Sequence, residues 1–439
     1  MPSARTAVAV LSTLLTFPTA LAQAPAPPEP APAQPQPAQQ APAAQGKEPA
    51  TQAEVQALAE ELRRLKLEIG IPDLEYKSWA GMGPAASKVY YQPKGLAIGG
   101  YGEITYADYL DDRTDQTDVL RLVLYAGYRF SRTILFNSEI ELEHGGREVG
   151  VEFAYLDFLL SDLLRLRVGN VLVPLGFVNE MHEPPFFNGV FRPEVERNLI
   201  PSTWHENGIG LYGEVAGLRY KAYLLGGLDV LGAEPLTAPT WLRRARTDGF
   251  EAPAESWAGV LSLSYDLGPA LLAAAVYGGR AGQGARDAAG QPIRAEVLIA
   301  ETHAALAWRG LQLRALYVMG TLGDAGRISA ALGLSGTAVI GSRVQGGYLE
   351  AGYDLFSALA PEWEQALTPF VRLEAMDLHD QVPQGGVRDP ALDTVTWTAG
   401  LGYKPIPNVV AKADYQRKTS QAAGAAPAEQ VNLGIGLVF

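Results

Sequence analysis

The C-terminal stretch of this 439-residue chain places the narrowest limit on its fold. Val431, Leu433, Ile435, Leu437 and Phe439 alternate with Asn432, Gly434 and Gly436. A period of two is the side-chain period of a strand, so the apolar set lies on one face and the polar or empty set on the other. Such a strand needs apolar surroundings on one side and polar surroundings on the other. The pattern recurs upstream. In 395–404, Val395, Trp397, Ala399 and Leu401 oppose Thr394, Thr396, Thr398 and Lys404; in 409–417, Val409, Ala411, Ala413 and Tyr415 oppose Lys412, Asp414 and Gln416. Beyond residue 22 no unbroken apolar run reaches the ~18 residues of a spanning helix. The chain is therefore soluble or crosses a membrane as strands.

About sixteen alternating segments can be placed, beginning near Leu96, Leu120, Ile134, Val149, Leu164, Gly208, Gly217, Ser256, Pro269, Ile293, Leu311, Arg343, Leu367, Leu392, Val409 and Gln430. Links after even-numbered segments are mostly tight, such as Arg309-Gly310 and Pro405-Ile406-Pro407. Links after odd-numbered segments are mostly long, as in 110–119, 174–207, 229–255 and 322–342. Short turns at one end and long loops at the other are the signature of a transmembrane antiparallel β-barrel, here expected over 96–439.

The front of the chain reads differently. Arg5, the apolar run Ala7–Leu15 and the small-residue site Ala20-Leu21-Ala22 form a secretion signal over 1–22, with cleavage near Ala22. Residues 23–52 are rich in Ala, Pro and Gln and form a disordered linker. In 53–70, Val55, Leu58, Leu62, Leu65 and Ile69 make a three-four stripe, a short coiled-coil helix that gains sense if a larger body brings copies together. Residues 71–95 connect this helix to the barrel. The net charge of −13 disfavours nucleic acid as a partner.

If the apolar positions face lipid, their neighbours face the lumen. This places Arg121, Arg129, Arg165, Arg167, Arg219, Lys221, Arg314, Arg372 and Lys412 inside, together with Glu103, Glu139, Glu141, Glu143, Glu350, Glu374 and Asp414. Opposed charges across such a wall solvate permeating solutes. The longest link, 174–207, carries five prolines and the aromatics Phe177, Phe186, Phe187, Phe191 and Trp204, too apolar to stand in water. It should fold inward and edge a constriction with Asn179, Glu180, His182, Glu183, Arg192, Glu194, Glu196 and Arg197. Glu180, Glu183, Glu194 and Glu196 should then oppose Arg121, Arg165 and Arg167. His182-Glu183 lacks the second His of a metalloprotease helix, and Pro184-Pro185 stop any helix there. No catalytic residue, metal site or cofactor is expected.

Signal, coiled coil, strand count, inward third loop and terminal Phe439 together resemble the trimeric outer-membrane porins of Gram-negative bacteria. Gly169-Asn170, Pro174-Leu175-Gly176, Asn179-Glu180 and Arg192-Pro193 look like the strand-to-constriction region of the phosphate-selective porin O and P superfamily. The resemblance implies a homotrimer in outer-membrane lipid that passes small hydrophilic solutes or anions and is not an enzyme. The dense basic cluster behind phosphate selectivity has no counterpart here, and Glu139, Glu141 and Glu143 share the wall, so no phosphate site is assigned. The alternative reading is a barrel with a surface-adhesive or enzymatic role.

Overall fold

The computed structural model describes residues 77–439; the signal, linker and coiled coil expected over 1–22, 23–52 and 53–70 lie outside the described residues. Sixteen strands follow in order: β1 (Gly95–Tyr109), β2 (Gln116–Arg129), β3 (Ile134–Glu143), β4 (Glu148–Leu159), β5 (Arg165–Leu172), β6 (His205–Val215), β7 (Leu218–Gly226), β8 (Trp257–Leu267), β9 (Ala270–Arg280), β10 (Glu296–Trp308), β11 (Leu311–Leu322), β12 (Arg343–Tyr353), β13 (Ala366–Gln381), β14 (Asp393–Ile406), β15 (Val409–Ser420) and β16 (Ala428–Val438). Each pairs antiparallel with its sequence neighbours. β1 closes on β16 in a register running from Tyr101↔Val438 to Tyr109↔Gln430. Closure leaves no strand edge with unpaired backbone groups.

The outer face is what the alternation requires. Leu122, Leu124, Leu211, Leu261, Leu373, Leu433 and Ile435 are all exposed. Exposed aromatics gather near the two rims. Tyr128, Phe130, Tyr265, Trp308, Tyr403 and Phe439 lie toward the end with short turns; Tyr106, Trp257, Tyr317 and Trp397 lie toward the end with long loops. An apolar band between two aromatic girdles suits a bilayer.

The interior departs from simple alternation. On β7 to β12, inward residues in the loop-end half are also apolar: Leu225, Val260, Tyr277, Val297, Ile299, Val318 and Val344 are buried. They pack against Leu199, Ile200 and Trp204 of the third loop, Trp241, Leu242 and Ala245 of the fourth, and Ile328 and Ile340 of the sixth. Burying one such side chain contributes about 1.5–3 kcal/mol, so this sector of the lumen is a dry core.

Residues 77–94, read from sequence as a simple connection, fill another sector. They contain helix α1 (Pro84–Tyr91), whose Pro84 occupies the first turn, where a missing N–H costs nothing. Ala85, Ala86, Val89 and Tyr90 are buried, and Val89 and Tyr90 pack on the inward Ala97 and Leu135. The wall is thinned to receive the helix: a Cβ on Gly127 would stand 2.6 Å from Val89 Cβ. A strand glycine of this kind marks the close approach of another element.

Candidate functional site

The third loop, 173–204, enters the barrel and is locked there mainly through its own polar groups. Asn179 closes its neck: its Nδ2 donates to the carbonyls of Val173 (2.6 Å) and Trp204 (2.9 Å), and Trp204 N–H donates to its Oδ1 (2.7 Å). Glu196, on the short helix α2 (Glu194–Asn198), accepts from the amides of Phe177 and Val178 and from Tyr348 Oη at 2.6–2.8 Å. Burial raises its carboxyl above the ordinary value, opposed by these donors. Glu183 Oε1 accepts from Ala85 and Ala86 N–H at 2.9 and 3.2 Å, so the loop caps the N-terminus of α1. Burial pushes Glu183 up to about 8, against the lowering effect of those two amides.

The tip of the loop is fastened to the opposite wall. Lys412 Nζ donates to the carbonyls of Phe187 (2.7 Å) and Gly189 (2.9 Å) and sits 3.7 Å from the Phe187 ring centre. Asp414 Oδ2 accepts from Val190 N–H at 2.6 Å. Arg372 bonds Glu374 and Glu350, Glu374 accepts from Val195 N–H, and Asn188 donates to Glu350. The inward face of β16 stays small where the loop arrives: a Cβ on Gly434 would meet Val190 Cγ1 at 3.0 Å.

The expected lumen charges do project inward, but the expected pairing of loop acids with wall arginines is not what forms. Glu180 pairs with Lys221, and Glu194 with Lys418 (2.8 Å) and Arg197 (3.8 Å). Arg121 instead bonds the wall residues Glu103, Glu141 and Glu143 at 2.8–3.3 Å. Arg165 reaches Asp162, and Arg167 is sealed with Asp157, Tyr90 and Tyr212 behind α1. For Arg165 and Arg167 the physical reason is the segment that carries α1: the helix lies against β1 to β3, its Tyr90 reaches Asp157 and Arg167, and the Trp79 ring lies under Arg165. Arg129 donates to Tyr90 O and to turn carbonyls, and Arg219 pairs with Asp266 at the turn-end rim. Arg192 is buried, with Nη2 on the carbonyl of His182 (3.4 Å). His182 and Glu139 are buried together, His182 Nε2 lying 3.1 Å from Glu139 Oε1.

Among the described residues, chambers lie on both sides of the loop. The turn-end chamber, about 360 Å³, is lined by Pro185–Asn188 and by Arg314, Lys404, Lys412 and Asp266 among others. The loop-end chamber, about 410 Å³, is lined by Phe191, Arg192, Glu194, Arg197, Arg113, Lys418, His144 and Asp118 among others. Each has two more fixed basic groups than acidic ones. β15 is the strand that lines both: Lys412 faces one chamber and Gln416 and Lys418 the other, with Asp414 holding the loop between them.

Sequence reasoning missed α1 and Glu152. Alternation fails at Glu152 because β4 carries a bulge opposite Glu139/Ile140, which turns both Glu152 and Phe153 inward. The inward glycines Gly127 and Gly434 were the available signal for filling elements.

Solved structures share this architecture at low sequence identity. A loop-deletion mutant of OmpT, an outer membrane protein of Vibrio cholerae, covers 79% of this chain and 100% of its own at 12% identity and a TM-score of 0.51. Salmonella typhi OmpF in complex with daunomycin covers 79% and 98% at 13% identity and a TM-score of 0.52. The fold is thus that of the sixteen-stranded outer-membrane porins. No family model matches the chain. By sequence it belongs to one family with an uncharacterized protein of Aquifex aeolicus (strain VF5), 39% identical over 369 residues, 81% of this chain and 83% of that protein.

Proposed function

We propose that this protein is an outer-membrane porin through which small hydrophilic solutes, anions in preference, diffuse past an inward third loop. The observation that carries this reading is the placement of the loop tip, Phe187–Val190, between two hydrophilic chambers and fastened to β15. The basic excess of both chambers supports the anion preference, since charges lining a narrow path select against like charge. The apolar outer band and its aromatic girdles support the outer-membrane location, and the secretion signal with cleavage near Ala22 agrees. Homotrimer assembly rests on the stripe from Val55 to Ile69. The likeness to the phosphate-selective superfamily supports an anion path without a phosphate site, because the lumen bases Arg121, Arg167 and Arg372 are consumed by Glu103, Glu141, Glu143, Asp157, Glu350 and Glu374.

Planar-bilayer recording of the purified protein tests the reading. Deleting residues 182–200 should raise single-channel conductance while the barrel still inserts. Unchanged conductance in an inserted deletion variant would refute the role given to the loop.

A further inference from the structure

We propose that Glu139, Glu152 and His182 form a binding site for one first-row divalent cation, of the zinc or manganese kind, where the third loop meets β3 and β4. One ligand atom from each residue lies within 4.8 Å of the others, and all three side chains are buried. His182 Nε2 is 3.1 Å from Glu139 Oε1 and 3.7 Å from Glu152 Oε2. Ligands about 2.1 Å from a tetrahedral ion stand about 3.4 Å apart, so these separations bracket the edge of such a site.

The orientation of the imidazole is an independent sign. Its Nδ1 lies 3.1 Å from the carbonyl oxygen of Asn179, which can only accept, so Nδ1 carries a proton. In the neutral ring Nε2 is then a lone pair facing two carboxyl groups and the Tyr125 hydroxyl, 3.4 Å away. This second-shell hydrogen bond is the one that fixes a metal-binding histidine. Glu152 Oε2 and Glu139 Oε2 are buried and accept no hydrogen bond, an expensive state for a carboxylate.

The surrounding charges leave room for a cation. Glu103, Glu139, Glu141, Glu143 and Glu152, five carboxyl groups, face two guanidinium groups here, Arg121 and Arg192. Arg121 is engaged by Glu103, Glu141 and Glu143. Arg192 is the loop's competing positive charge, with its Nη2 on His182 O. Tyr101, Tyr125 and Phe153 wall the site in, the Tyr101 ring meeting His182 at 5.8 Å. Two ligands come from the wall and one from the loop, so the ion would staple the loop to the barrel.

The folded full-length protein is stripped with chelator, dialysed against buffered zinc or, separately, manganese, and its metal content measured by mass spectrometry. The expected result is about one ion per chain, lost in Glu139→Gln and in Glu152→Gln, which keep side-chain shape. Heat-modifiable gel migration shows that the variants are folded. Wild type binding no more of either metal than Glu139→Gln and Glu152→Gln overturns the proposal, as it would if an imidazolium or a shared proton balanced the carboxylates. Should a variant misfold, anomalous scattering from the wild type decides: an ion at these three residues supports the site, and one at the rim residues Glu143, His144 and Glu148 alone, or none, overturns it. Metal content is read without reference to conductance, so this site and the porin reading fail separately.

Discussion

Lys412→Met should release the tip of the third loop. The Lys412 ammonium donates to two loop carbonyls at 2.7 and 2.9 Å and lies 3.7 Å from the Phe187 ring. Methionine keeps most of the apolar stem and loses all three contacts. Hydrogen bonds to charged groups contribute about 1.5–3 kcal/mol each, but the freed carbonyls regain water from the turn-end chamber, so the net loss is about 3 kcal/mol. At about 1.4 kcal/mol per factor of ten, the ratio of released to latched loop should rise about a hundredfold. In single-channel recordings this reads as longer or more frequent high-conductance dwells. Asp414 still holds Val190 N–H at 2.6 Å, so Lys412→Met combined with Asp414→Ala should go further than either alone. If folded Lys412→Met channels show wild-type conductance and dwell times, β15 is not the latch, and the argument from hydrogen-bond energy fails with it.

Glu183→Ala leaves the buried amides of Ala85 and Ala86 without an acceptor, a cost of about 2 kcal/mol. Hydrogen exchange over α1 should accelerate about thirtyfold while the strands stay protected. Because burial holds Glu183 protonated up to about 8, above its ordinary value near 4.5, the folded state keeps a proton that the unfolded state loses. That contribution to stability is present below about pH 4.5 and is lost as pH rises toward 8. The heat-modification midpoint should therefore fall over this window, with a shallower slope in Glu183→Gln. At the loop-end mouth, a hydrogen bond to Asp118 raises the His144 imidazole above its ordinary value, so it gains charge as pH is lowered through the near-neutral range. Anion preference should rise modestly over that range, and the rise should vanish in His144→Gln; the effect is small because the ring is exposed and screened.

The barrel was legible because its lipid-facing period is written twice, in the strands and in the alternation of turns and loops. Ile134, Leu311, Arg343 and Val409 begin strands where the pattern puts them. Starts shifted where rim residues break alternation: β2 begins at Gln116 rather than Leu120 because polar residues extend the strand beyond the apolar band. The inward fold of the third loop was legible from aromatics that could not stay wet. Its partners were not, because pairing depends on what else occupies the lumen. Nothing local in Pro84–Tyr91 says that it lies inside a barrel. Glu152 was hidden by a bulge, a two-against-one register that no single-strand pattern reveals.

The asymmetry of the lumen divides the work around its circumference. Facing β7 to β12 at the loop end, Ile299, Val318 and Val344 have apolar neighbours on the inside and an apolar band on the outside. Facing β15, β16, β1 and β2 the interior is charged and open. Emptying the first sector would leave a surface that repels water, and an unwetted gap conducts nothing. Current should therefore run off-axis, close to β15, whatever is trimmed elsewhere. Substitutions at the loop-end positions Gln416, Gln430, Thr105 and Gln116 of β15, β16, β1 and β2 can retune which solutes pass at little cost to folding, whereas the loop-end positions inside β7 to β12 are constrained by packing. Within this family, selectivity should diverge on one side of the barrel while the other side stays chemically uniform.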